Sequence, residues 1–255
     1  MELLVWVHTL LLASVRLTVG LAMTPLFGAF RMPALARLVV VVALAGLAAS
    51  SVRPATAASL AAGMEQGGGA LMLAAAREAG IGLLIALGIH AAFGVFTVAG
   101  RLLDVQMGFN LGSQLDPVSK THAAVLASGF NFLAVTLFVV TDAHQALLAG
   151  FFRTFDVLPI GQPLLLDGWV PYAQGMGAMF SLGFALASPV IVALLLADVV
   201  VAVLSRNLPQ MNVLFLSIPL KVLLGLMVAA VSLRLMAPVM EKALALPLTL
   251  LDRAY

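Results

Sequence analysis

Six apolar runs dominate this chain, and their lengths decide what it can become. They cover roughly residues 3–27, 35–49, 71–103, 123–148, 173–204 and 213–236. A helix needs about 20 apolar residues to cross a bilayer core. Most of these runs reach that length, and the second falls short. None alternates polar with apolar residues, so helices are implied and a transmembrane barrel is not. Hydrophobic residues make up 63% of the 255, charged residues only 9%, and the mean hydropathy is +1.14. A soluble domain carries about 25% charged residues and could not hide this much apolar surface. The expected class is an all-α integral membrane protein. Its helices, several of them broken, would pack as hairpins in one membrane-embedded domain over residues 1–255. No Lys or Arg precedes Arg16, so the first run lacks the basic start of a cleaved signal and is read as retained.

In such a chain the polar residues carry the information. Arg16, Glu78 and Asp198 fall inside apolar runs and are candidate buried charges. Each is costly in lipid and needs water or a protein partner. A denser cluster, Arg206, Pro209, Gln210 and Asn212, separates the fifth run from the sixth, and Pro219 and Lys221 follow. This is either a short aqueous turn of a helical hairpin or a polar joint inside an assembly. With the turn near residue 208, Asp198 lies ~15 Å along one arm and Lys221 ~20 Å along the other. A Lys side chain can close that difference, so the two are expected to pair across the hairpin.

Glycines mark close packing. Gly82, Gly88, Gly94 and Gly100 recur every six residues in the third run. At about 100° per residue they spiral around the helix, which suits contact with neighbours on several sides. The third run leads into a glycine-rich loop, residues 104–120, with a turn signal at Asp116-Pro117. Met107, Phe109, Leu111 and Leu115 make it apolar, as suits a loop tucked into protein.

No enzyme signature is present: no His-Glu-x-x-His, no Gly-x-Ser-x-Gly, and no Lys-Ser or Lys-Thr after Gly67-Gly68-Gly69. Cysteine is absent and the four histidines are dispersed. The chain is therefore read as non-enzymatic, without cofactor or catalytic metal. Two functions remain on chemistry alone, a structural and gating part of a protein channel or a secondary transporter of a small solute. A transporter would show similarly broken segments in its two halves, and no convincing internal repeat is visible.

The stretch RNLPQMNVLFLSIPLKVLLGL resembles the signature of the FliR/YscT (SctT) family. Its members are the R or T subunit of the export gate of bacterial type III secretion. The resemblance is carried by Arg206, Pro209, Gln210, Asn212, Val213, Phe215, Pro219, Leu220 and Lys221. Leu214 intervenes where flagellar members more often place Phe directly after the Val. Further likeness lies at Glu78 with Gly80, at Ala99-Gly100, at Phe155 with Leu158-Pro159-Ile160-Gly161, and at Ala187 with Pro189. His144 matches a family histidine, but Ala143 and Gln145 replace its usual Gly and second His.

The resemblance implies a gating subunit of the flagellar or type III export channel, more flagellar than injectisome in its last motif. It would stand as one copy with several P and Q export-gate subunits, in the inner membrane at the flagellar basal body. The B and A export-gate subunits and exported rod- or hook-type proteins would be further partners, with membrane lipid around and no nucleic acid. It also implies that the loop Gln106, Met107, Gly108, Phe109, Asn110, Leu111, Gly112, Asp116 and Pro117 enters the channel and helps plug it.

Overall fold

A computed structural model describes residues 2–22, 33–50, 68–109, 124–161, 169–207 and 213–254. Among them the regular elements are eight helices, consistent with the all-α class. They are α1 (Glu2–Ala22), α2 (Ala34–Ser50), α3 (Gly68–Gln106), α4 (Val125–Val140), α5 (Ala143–Val157), α6 (Val170–Asn207), α7 (Val213–Leu244) and α8 (Leu246–Ala254). Among the described residues four stretches are long and apolar enough to cross a membrane, or five if the bent pair α4 and α5 is one span; α2 is shorter.

The fourth apolar run departs from expectation. One helix over about 123–148 is replaced by α4 and α5, bent by 73°. The break falls at Asp142, whose backbone is left-handed at φ 55°, a conformation Asp tolerates better than most residues. Gln145 Nε2 donates to its carboxylate at 3.0 Å. Helix then continues through Phe151 to Val157, beyond the end of the fourth apolar run. Phe151 is fully buried and Thr154 nearly so. Burial sustains the helix until Pro159, next after the C-cap residue Leu158, stops it. Beyond the last apolar run the chain forms α8, which packs on α5.

The contacts group into two units. The first comprises Met1–Ala91, Phe138–Met176 and Ala245–Tyr255. Here α1 packs on α2, and Leu12, Leu17, Ile81, Ile85 and Phe151 are fully buried. Leu84, Tyr172 and Leu250 form a cluster of their own. The second unit comprises Ala92–Leu137 and Gly177–Leu244. Its buried residues include Phe96, Leu103, Ala134, Leu186, Val190 and Leu194.

The glycine spiral of α3 meets a different neighbour at each step. A Cβ on Gly82 would lie 2.6 Å from the Arg16 carbonyl oxygen in α1, and one on Gly88 3.5 Å from the Tyr172 ring in α6. Gly94 lies under Met179, and Gly100 against the Ala127 backbone. Gly82 and Gly100 thus let backbones approach closely, the usual role of small residues between membrane helices.

Candidate functional site

Three polar devices stand out among the described residues. The first lies in the first unit, at Arg16. Its side chain is fully buried and needs an acceptor for every N–H it can satisfy. Nε donates to Glu78 Oε2 at 2.6 Å. Nη1 donates to the Thr154 carbonyl at 3.1 Å and to Thr154 Oγ1 at 3.3 Å, and Nη2 donates to the Leu158 carbonyl at 3.0 Å. These carbonyls end α5, where a cation is also favoured by the helix dipole. The guanidinium carbon lies 4.4 Å from the centre of the Phe155 ring. Glu78, equally buried, uses Oε1 to accept the Gly161 N–H at 2.8 Å. Arg77 Nη1 donates to the Gly161 carbonyl at 3.2 Å. Gly161 has φ 84°, a conformation that favours glycine. One ion pair therefore fastens α1, α3, the end of α5 and the following turn.

Sequence reasoning marked Arg16 and Glu78 as separate buried charges, and the structure brings them together. It could not find Thr154, Leu158 or Gly161, whose carbonyls and N–H carry no side-chain signature.

The second device belongs to the second unit. Asp104, almost fully buried near the end of α3, accepts from the Leu126 N–H at 2.9 Å and the Ala127 N–H at 3.0 Å. It caps α4 from a distant segment. A signal existed: α4 begins after Ala123-Ala124 with no capping side chain of its own. Four residues on, Gly108 ends α3 with φ 82°. Its N–H reaches the Val105 carbonyl at 3.1 Å and the Phe109 N–H reaches the Asp104 carbonyl at 3.0 Å, a Schellman closure. Met107 is fully buried, its side chain directly over Gly225 of α7. Asn131 accepts from Thr97 Oγ1 at 2.9 Å, joining α4 to α3 again.

This corrects one boundary of the expected plug loop. Gln106 is the last residue of α3, Met107 is core, and Gly108 and Phe109 form the helix stop. Burial of Met107 against Gly225 is the physical reason they are not free loop. Asn110, Leu111, Gly112, Asp116 and Pro117 lie outside the described residues.

The third device is the α6–α7 hairpin, also in the second unit. Lys221 Nζ lies 2.5 Å from Asp198 Oδ1. The side chains are 22% and 37% exposed, respectively. Asp198, expected as a buried charge, is therefore only partly covered, because its neighbours Leu195, Leu196, Val199 and Val200 all face outward. Arg206, in the last turn of α6, is exposed. Pro209, Gln210 and Asn212 lie outside the described residues. His144 sits after the bend with its ring 6.4 Å from that of Phe138.

The comparisons with known proteins bear on this arrangement. The family model described as "Bacterial export proteins, family 1" matches residues 7–246. "Flagellar biosynthetic protein FliR" of Escherichia coli (strain K12) is 30% identical over 161 residues, 63% of this chain and 62% of that protein. The protein of the same name in Bacillus subtilis (strain 168) is 28% identical over 145 residues, 55% of this chain and 56% of that protein. "Surface presentation of antigens protein SpaR" of Shigella flexneri is 28% identical over 149 residues, 58% of this chain and 57% of that protein. The matches thus span less than two thirds of each relative's length.

Proposed function

We propose that this chain, which belongs to the bacterial export proteins, family 1, is a structural and gating subunit of a flagellar or type III protein-export channel. The family match across residues 7–246 carries this reading, and relatives named for flagellar biosynthesis and for secretion support it. The chain's physical character agrees. Its deepest charges, Arg16 and Glu78, are consumed by each other and by backbone groups, which leaves them to structure. Long helices leave apolar side chains exposed along α6 and α7, surface that lipid or neighbouring subunits must cover.

In this reading the chain is one copy in a complex with P and Q subunits in the bacterial inner membrane, at the flagellar basal body. It also meets the B and A subunits and the exported proteins. It contributes wall and closure, with no covalent chemistry. The segment beyond Phe109, with Asn110, Leu111, Gly112, Asp116 and Pro117, acts as the plug, and the rigid base at Asp104, Met107 and Gly108 holds it. Arg206, Pro209, Gln210, Asn212 and Lys221 form the joint at which the α6–α7 hairpin is assembled.

Co-purification tests the reading. The chain is expressed with its genomic neighbours in mild detergent and the mass of the complex is measured. A single copy in a larger hetero-oligomer is expected. A monodisperse monomer or homodimer in the presence of those neighbours would overturn it. The plug is tested at Gly112, since Gly108 is needed as a helix stop. Gly112→Asp should change export or ion leak, and wild-type values of both would refute the plug.

A further inference from the structure

We propose that the outward face of α7 is seated against a second membrane subunit that sets a carboxylate opposite Arg234; this rests on the export-subunit reading above. The apolar run Ser217–Asp252 is the least buried candidate span, 17% of its window against 67% for α3. Leu223, Met227, Val231 and Leu235 make an open apolar stripe at helical spacing. Arg234 is exposed in the same stripe. It makes no hydrogen bond or ion pair among the described residues, whereas Lys221 on the same helix has Asp198.

The position leaves Arg234 little relief from lipid. Whichever stretch of about 20 residues of Ser217–Asp252 crosses the bilayer core, Arg234 is within it. A charge so placed is costly unless it faces protein or water. Glu241, two turns further along α7, does not bond to it. The remaining charges of the second unit point to the sign of the partner. Among the described residues Asp104 is engaged as a helix cap and Asp198 by Lys221. That leaves Arg101, Arg206, Arg234 and Lys242 against Glu241, a cationic balance that an acidic neighbour complements. A planar guanidinium in an apolar surround is best matched by a carboxylate, which can accept two of its N–H groups at once. The partner is thus a membrane helix with an aliphatic face and one Asp or Glu at the depth of Arg234.

The test uses the full chain co-expressed with its genomic neighbours. Arg234→Leu, Arg234→Lys and Arg234→Glu are compared by the fraction of chain that elutes in the complex, and each chain purified alone is checked for thermal stability. Arg234→Leu and Arg234→Glu should lower the assembled fraction about tenfold or more, the scale of losing a close interfacial charge pair. Arg234→Lys should keep most of it, and both isolated variants should melt like wild type. A basic residue placed at the partner's acidic position should restore the Arg234→Glu chain. Normal assembly of Arg234→Leu would overturn the inference and assign the face to lipid or to a water-filled passage. A lower melting temperature of the isolated Arg234→Leu chain would assign Arg234 an internal role and also overturn it. Failure of the wild-type chain to assemble would instead remove the export-subunit reading, and this inference with it.

Discussion

Glu78→Gln isolates the electrostatic part of the Arg16 knot, because it changes one charge and almost no volume. In the wild type, Glu78 Oε1 holds the Gly161 N–H and Oε2 holds Arg16 Nε. Glutamine can keep the first contact through its carbonyl oxygen. Its amide then faces Arg16 with N–H groups, donor against donor, in a site where neither original side chain has any exposure. Removing one partner of a buried pair costs about 3–5 kcal/mol. Here the Thr154 and Leu158 carbonyls and the Phe155 ring remain as partial compensation. Helix-end and ring contacts of this kind are worth about 1 kcal/mol each. The expected loss is therefore at the lower end, about 3 kcal/mol. For a chain of this size that is a fall in Tm of about 6–12 °C. Arg16→Met should cost more, about 4 kcal/mol, since it strands the carboxylate and also frees the two carbonyls. The double variant should cost less than the sum, with a coupling of about 2 kcal/mol. Thermal unfolding of the purified chain in detergent, followed by helix content, measures all three. A change in Tm below about 2 °C for Glu78→Gln, or additive losses in the double variant, would refute the view that one charge pair holds this unit.

Two glycines in α3 should respond oppositely to the same substitution. Gly82→Ala drives a methyl into the Arg16 carbonyl oxygen, backbone that cannot swing away, and should cost about 1–3 kcal/mol. Gly80→Ala meets nothing within 4 Å and should be neutral or up to about 1 kcal/mol stabilising, through helix propensity; equal Tm shifts in the two would contradict the packing. Asp104→Ala should cost about 2 kcal/mol by uncapping α4, with Asp104→Asn milder because one acceptor survives; hydrogen exchange at Leu126 and Ala127 reads the cap directly. Exchange of the hairpin pair, Asp198→Lys with Lys221→Asp, should recover complex formation that each single change weakens, and no recovery would separate the two residues functionally.

The helices were legible because their signal is local. Apolar runs of bilayer length can satisfy backbone hydrogen bonds in lipid only as helices, and α1, α2, α3, α6 and α7 each occupy one of those runs. The six-residue glycine spacing also carried real information, since Gly82, Gly88, Gly94 and Gly100 each meet a different neighbour. The bend at Asp142 was not legible. Asp142 can sit in a helix or adopt φ 55°, and the choice depends on tertiary packing of Phe138, Leu147 and Phe151, all buried. The same burial carries α5 through residues 151–157, beyond the end of the fourth apolar run.

Side-chain partners separate into two kinds by the same logic. Asp198 and Lys221 lie on the arms of one hairpin, so helical rise brings them within reach of a Lys side chain, and the pairing could be worked out by counting residues. Arg16 and Glu78 are 62 residues apart, too far for residue counting to set a register. What the sequence does supply is a constraint of sign: a buried cation demands an acceptor, and few acidic residues lie in the apolar runs to provide one. Glu78 answers that demand within the chain. Arg234 poses the same demand with no acidic partner among the described residues of its own chain. The same physical demand, at an exposed site, points from Arg234 to a carboxylate on another subunit.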